Sequence, residues 1–273
     1  MPSSSRSKAN TTPVPMTIPQ FRQAKAKGAK LVVVTAYDCI MARLVDAAGV
    51  DALLVGDSLG MVVQGHLNSL QVTMRQMLYH TQMVARARPN ALMIADLPFL
   101  SYHLSPRQAI RNGGRLIQAG AHAVKLEGGV TMQKTIAALV RAEIPVMGHV
   151  GMTPQSVHRF GGFKVQRNAE QIKADAKAVE AAGAFALVIE CVPADLAREV
   201  TQSVSIPTIG IGAGAHCDGQ VLVLHDLLGL QDEIKPRFVK RYAEIGQSIR
   251  QAIQQFAQEV RSEQFPGPEQ SFT

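Results

Sequence analysis

Eight short apolar runs, each followed by a segment of helical spacing, predict an α/β fold: a TIM-type (β/α)8 barrel around a parallel sheet. Two further observations agree. The runs are continuously hydrophobic rather than alternating, as strands covered on both faces require. The length of 273 residues suits a single barrel, which needs about 250. With 47% hydrophobic and 18% charged residues, the chain can build a large core, and global disorder is excluded.

The predicted strands are LVVVTAYD (31–38), DALLVGD (51–57), ALMIAD (91–96), AVKLEGG (123–129), IPVMGHVG (144–151), ALVIECVP (186–193), IPTIGIGAG (206–214) and QVLVLHD (220–226). Between them CIMARLVDAAG, SPRQAIRNGGRLIQAGA, TMQKTIAALVRAE and NAEQIKADAKAVEAAGA carry Ala, Leu and Ile at helical spacing. Ser and Asn stand at their starts and Gly at their ends, the residues that cap and stop helices. Ala48-Gly49, Ala119-Gly120 and Ala182-Gly183 repeat that stop before strands two, four and six. From about Lys235 one amphipathic helix is expected, followed by a tail containing Pro and Gly. The domain reading is a disordered basic leader over 1–16 and a single barrel domain over 17–273.

Six of the seven net positive charges fall in residues 1–30, from Arg6, Lys8, Arg22, Lys25, Lys27 and Lys30, which leaves +1 for the rest. A near-neutral body with 5% aromatics and no Trp is neither a phosphate-tracking surface nor a stacking platform, so no nucleic-acid partner is expected. No apolar run reaches the length of a membrane span. Three widely spaced cysteines, Cys39, Cys191 and Cys217, form no C-x-x-C pair, which points to a reducing, cytoplasmic compartment. The leader lacks the apolar core of a secretory signal.

In a barrel of this kind catalytic groups stand at the C-terminal ends of strands. The predicted strands end in Asp57-Ser58, Asp96, Lys125 with Glu127, His149, and Glu190. Buried next to apolar runs, such groups need partners. Asp57, Asp96 and Glu127 come from adjacent strands and repel one another unless a cation sits among them. Hard oxygen donors favour Mg²⁺ or a similar ion over zinc. Lys125, two residues from Glu127, shares its strand face and can bind a substrate carboxylate or help neutralise an enolate. Glu190, two strands beyond, is free to act as a base.

Two motif matches fail. Gly-Asp-Ser-Leu (56–59) opens a class of serine esterases, but those enzymes need an Asp-x-x-His, and no aspartate here has a histidine three residues on. GIGAGA (210–215) fits a dinucleotide fingerprint but stands near the end of the barrel rather than at the start of a Rossmann unit, so it reads as the strand-seven loop. Among the histidines His66 and His80 read as ordinary hydrogen-bonded residues, and His149 is the one placed to line the site.

The blocks VTAYD, LLVGDSLGMVVQGH, IADLPF, VKLEGG, GHVGMTPQSV, GGFKVQ, VIECVP and IGIGAGAHCDGQVLVLHDLLGL, in this order and spacing, resemble the ketopantoate hydroxymethyltransferase family. The likeness runs from about Thr17 to Phe272. It implies a barrel of the phosphoenolpyruvate/pyruvate superfamily type assembled as a homodecamer of two five-membered rings. The implied reaction moves a one-carbon unit from 5,10-methylenetetrahydrofolate to 3-methyl-2-oxobutanoate, giving 2-dehydropantoate for pantothenate synthesis, through a Mg-stabilised enolate. By the resemblance Asp57 and Asp96 ligate Mg²⁺ with Glu127 completing the site, directly or through water. Ser58 and Lys125 hold the keto acid together with Asp57 and Asp96, and Glu190 accepts the proton. One departure is visible: the family usually has Gly after KVQ, where this chain has Arg167.

Overall fold

A computed structural model describes residues 15–231 and 236–272. Eight parallel strands, β1 (Leu31–Thr35), β2 (Ala52–Val55), β3 (Leu92–Asp96), β4 (Ala123–Glu127), β5 (Val146–Gly151), β6 (Ala186–Glu190), β7 (Thr208–Ile211) and β8 (Gly219–Leu222), close into a barrel in chain order. β8 returns to β1, with Val33 opposite Val221. Each strand falls within a residue of the run that predicts it.

Side-chain caps, among them the expected Ser and Asn, hold the starts of the intervening helices. Asp38, Ser105 and Asn168 each accept a backbone N–H of the first turn with their side chains, ahead of helices Cys39–Ala47, Pro106–Gln118 and Ala169–Ala181. Thr73 and Gln76 form a reciprocal capping box before helix Met74–Ala85.

Alternation along each strand sorts the core into two layers. Leu53, Val55, Met93, Ala95, Val124, Leu126, Leu187 and Ile189 face the surrounding helices. The other face fills the barrel with Leu31, Leu54, Leu92, Ile94, Ala123, Met147, Ala186 and Val188. Helix Ile18–Ala26 plugs the barrel's base: Phe21, fully buried, packs edge-on against Phe185 with ring centroids 5.7 Å apart. Lys25 pins that helix through an ion pair with Asp218 at 3.0 Å. Burying side chains of this size stabilises by about 1.5–3 kcal/mol each.

The terminal helix differs from expectation. It spans Ile245–Arg261 rather than starting near Lys235. The backbone N–H groups of Tyr242, Ile245 and Gly246 go to the carbonyls of Leu227, Leu228 and Gly229. The Tyr242 N–H is thereby withdrawn from any helix begun near 235, and the helix opens at Ile245 and Gly246, whose N–H groups need no partner within it. The helix buries no residue, and Ile245, Ile249, Ile253, Phe256 and Val260 lie exposed along it. The outer face of β1 and β8 is equally open: Val32 is 48% exposed in mid-strand, beside an apolar groove of about 740 Å³ that includes Leu44, Leu222, Leu227 and Tyr242.

The leader expected over 1–16 lies outside the described residues up to residue 14. Met16 is described, half-buried, and donates its N–H to the Asn90 carbonyl at 2.7 Å. Among the described residues no helix is long and apolar enough to cross a membrane. Cys39, Cys191 and Cys217 are free thiols.

Candidate active site

The inward-facing series on four consecutive strands turns from apolar to charged at the C-terminal end. β3 reads Leu92, Ile94, Asp96 and β4 reads Ala123, Lys125, Glu127; β5 reads Met147, His149, Gly151 and β6 reads Ala186, Val188, Glu190. Register aligns these ends, because Asp96 lies opposite Lys125, Glu127 opposite His149, and Gly151 opposite Glu190. Asp57 lies two residues beyond the end of β2. Asp57, Asp96, Lys125, Glu127 and His149 are all at most 5% exposed, so each needs its charge or polarity answered within the protein.

Lys125 Nζ stands 3.0 Å from Asp96 Oδ1, and the other Asp96 oxygen accepts the backbone N–H of Asp57 at 3.1 Å. Glu127 Oε2 accepts the backbone N–H of Gln155 at 2.9 Å, while the Gln155 side chain donates to Asp57 Oδ2 at 2.8 Å. His149 bridges the two sides of the mouth. Its Nδ1 lies 3.4 Å from Lys125 Nζ and its Nε2 lies 3.2 Å from Glu190 Oε2. Ser58 points to Tyr37, with Oγ and phenolic oxygen 2.8 Å apart. Gly56 permits that turn, since a Cβ there would sit 2.7 Å from Ser58 Oγ.

The charges do not balance. Burial, reinforced by the charge of Asp96, pushes the Asp57 carboxyl up to about 7. Burial, with the charge of Asp57, holds Glu127 well above the usual carboxylate range. Burial alone would pull Lys125 down, but Asp96, Glu127 and Asp57 together raise it, so it remains an ammonium. Burial and that ammonium hold His149 below its ordinary value, which leaves the imidazole neutral at pH 7. One cation therefore answers three clustered acids.

Two oxygens identify where further positive charge fits. Glu127 Oε1 accepts no hydrogen bond, and Asp96 Oδ1 accepts none of ordinary geometry despite the nearby ammonium. Among the described residues no three of His, Cys, Asp and Glu stand together as a group that could hold a metal ion unaided. Mg²⁺ does not require one: it binds through one or two carboxylates, keeps several waters and takes substrate oxygens. The donors present fit that ion.

Sequence reasoning passed over three residues at this site. Tyr37, Tyr102 and Gln155 are buried and hydrogen-bonded to Ser58, Glu127 and Asp57 respectively. All are neutral and off the strands, so neither charge nor periodicity marks them. Beyond Glu127 and Gln155 opens a cleft of about 840 Å³ bordered by Phe99, His103, Met132, Arg159 and Phe160.

Residues 15–268 match the family model of ketopantoate hydroxymethyltransferase. The chain belongs to that family. It is 54% identical over 261 residues to the 3-methyl-2-oxobutanoate hydroxymethyltransferase of Pelobacter propionicus, covering 94% of this chain and 97% of the relative. The enzyme of the same name from Trichlorobacter lovleyi is 55% identical, with 94% and 98% covered. The chain is accordingly a ketopantoate hydroxymethyltransferase-family enzyme, a transferase that adds a hydroxymethyl group to 3-methyl-2-oxobutanoate in the first step of pantothenate synthesis. The solved structure of 2,3-dimethylmalate lyase, a PEP mutase/isocitrate lyase superfamily member, shares the family's barrel with a TM-score of 0.59 at 19% identity, covering 94% of this chain and 91% of that one. Phosphonopyruvate hydrolase, solved with oxalate and Mg²⁺, gives a TM-score of 0.61 at 16% identity, with 91% and 88% covered.

Proposed function

We propose that the transfer uses 5,10-methylenetetrahydrofolate as one-carbon donor and Mg²⁺ as cofactor, with Glu190 as the base. The observation that carries this reading is the row of charged groups along four strand ends, with carboxylate oxygens left unanswered on one side and Glu190 across His149 on the other. Asp57 and Asp96 are the metal ligands, with Glu127 completing the site directly or through water. When bound, Mg²⁺ supplies Lewis-acid stabilisation of negative charge at the keto oxygen.

The chain's own groups do the remainder. Lys125, together with Ser58, Asp57 and Asp96, orients the keto acid, and its ammonium adds to the field that stabilises an enolate. Glu190 removes the proton from the carbon beside the ketone. His149, neutral and 3.2 Å from Glu190, fixes that carboxylate's direction. The resulting carbon nucleophile bonds to the methylene carbon, both C–N bonds to the folate break, and a water molecule supplies the hydroxyl that completes the hydroxymethyl group. Tetrahydrofolate leaves, its two nitrogens taking the proton held by Glu190 and the second proton of that water. The small acid leaves the flanking cleft free, and its aromatic and basic lining (Phe99, Phe160, Arg159) suits a flat carrier with an acidic tail.

A homo-oligomer, by resemblance a decamer, is part of the same proposal. The apolar stripe on helix Ile245–Arg261 and the open groove over β1 and β8 are two uncovered faces of one chain, and apolar patches of this kind mark interfaces. A cytoplasmic setting accords with three free thiols.

The test is direct. Keto acid and methylenetetrahydrofolate are incubated with the protein, with and without Mg²⁺, and 2-dehydropantoate is measured. Product only with both folate and metal is expected; equal turnover without folate, or with metal chelated, overturns the reading.

A further inference from the structure

We propose that Gln155 is the positioning residue of this site, a latch that fixes which oxygen of Asp57 faces the barrel axis. The inference rests on the metal reading of Asp57 given above. Gln155 lies in the turn Pro154–Ser156 after β5 and is 7% exposed. It uses all its polar atoms there. Its Nε2 donates to Asp57 Oδ2 at 2.8 Å and to the Leu97 carbonyl at 3.0 Å. Its Oε1 faces the Tyr102 hydroxyl at 2.8 Å, and its backbone N–H holds Glu127 Oε2. One residue thus ties the end of β4 to the segments that follow β2, β3 and β5.

The orientation of the amide follows from its partners. The Leu97 carbonyl can only accept, so the nitrogen must face it, and the same nitrogen then meets Asp57. Tyr102 secures the other end. Its hydroxyl has one proton, and the Glu127 backbone N–H points at it from 3.2 Å; the phenol accepts that N–H and gives its proton to Gln155 Oε1. With Oε2 of Glu127 tied to Gln155, its second oxygen is left for the site, and the Gln155 bond to Asp57 Oδ2 sets how that carboxylate turns. A neutral amide is suited to this: it donates a hydrogen bond to Asp57 without adding a positive charge that would compete with a cation. A lysine or arginine there would neutralise the acid it is meant to orient.

Gln155→Met keeps the length of the side chain and the backbone bond to Glu127 but removes both donors and the acceptor. Mn²⁺ and Mg²⁺ affinity is measured without substrate, by paramagnetic relaxation and calorimetry, alongside thermal melting. Partners that orient metal ligands are worth about 10–100-fold in affinity, so a rise of about tenfold or more in Kd is expected. Tyr102→Phe, a milder change that keeps the latch's donors, should shift affinity in the same direction by less. Its effect should be smaller in the Gln155→Met background than in the wild-type protein, because part of what Tyr102 does runs through Gln155. A role confined to stability predicts lowered melting temperatures with unchanged affinity, and that result in either variant overturns the latch. If the wild-type protein takes up neither ion, both this inference and the metal reading fall, whereas normal wild-type binding with unchanged variants sinks the latch alone.

Discussion

At the scale of single residues, the division of labour between Glu190 and the other acids makes the sharpest prediction. Glu190→Gln should retain metal and keto-acid binding yet abolish deuterium exchange at the substrate carbon beside the ketone, followed by NMR in D₂O. Exchange at the wild-type rate would remove Glu190 from the role of base. The same substitution has a second readout at its neighbour. Cys191 is half-buried, and burial followed by the charge of Glu190 pushes its thiol up to about 11. Since the thiolate is the reactive form, alkylation of Cys191 should stay slow at pH 8 and keep accelerating with pH to about 11 rather than levelling near 9. In Glu190→Gln the repelling charge is gone, so the labelling rate at a given pH should rise. Peptide mapping after timed iodoacetamide treatment reads both effects.

At the scale of elements, the strands were legible because a buried parallel strand has a plain signature, and charged residues stand out where that signature ends. Asp96, Lys125, Glu127 and Glu190 could be read for this reason: each interrupts an apolar run at a position where the barrel makes interruption costly. Gln155 and Tyr102 carry no such contrast. They matter through partners 98 and 25 residues away, respectively, and no local spacing encodes such a meeting. The start of the terminal helix was misread for a related reason. Residues 237–244 have helical spacing, but the Tyr242 N–H is claimed by the Leu227 carbonyl, which only the closed fold brings near. Close approach of elements also sets a stability prediction. A Cβ on Gly148 would lie 2.4 Å from a methyl of Val179 on helix Ala169–Ala181. Gly148→Ala should therefore push that helix off β5 and cost about 1–3 kcal/mol, read from denaturant melts. An unchanged midpoint would mean the helix seats less tightly than its geometry indicates.

At the scale of the whole molecule, among the described residues one side of the barrel stays open at Val32, and the terminal helix buries none of its apolar side chains. Ile253→Asp or Phe256→Asp should shift the particle toward smaller species by light scattering, because a charge on the stripe is costly to bury in a partner. Circular dichroism should remain that of the folded barrel, since neither side chain is buried in the chain itself. Retention of the wild-type mass would show that the stripe is not the contact. The segment leading into this helix has a further importance. Phe238 rests against the strand-seven loop, where a Cβ on Gly212 would lie 2.9 Å from its ring and 3.3 Å from the Cys191 sulfur. The sulfur belongs to the residue after Glu190. If a neighbour grips the helix, it also tethers Phe238 against Gly212 beside Cys191, and dilution would loosen that contact. Specific activity would then fall with protein concentration below the dissociation point.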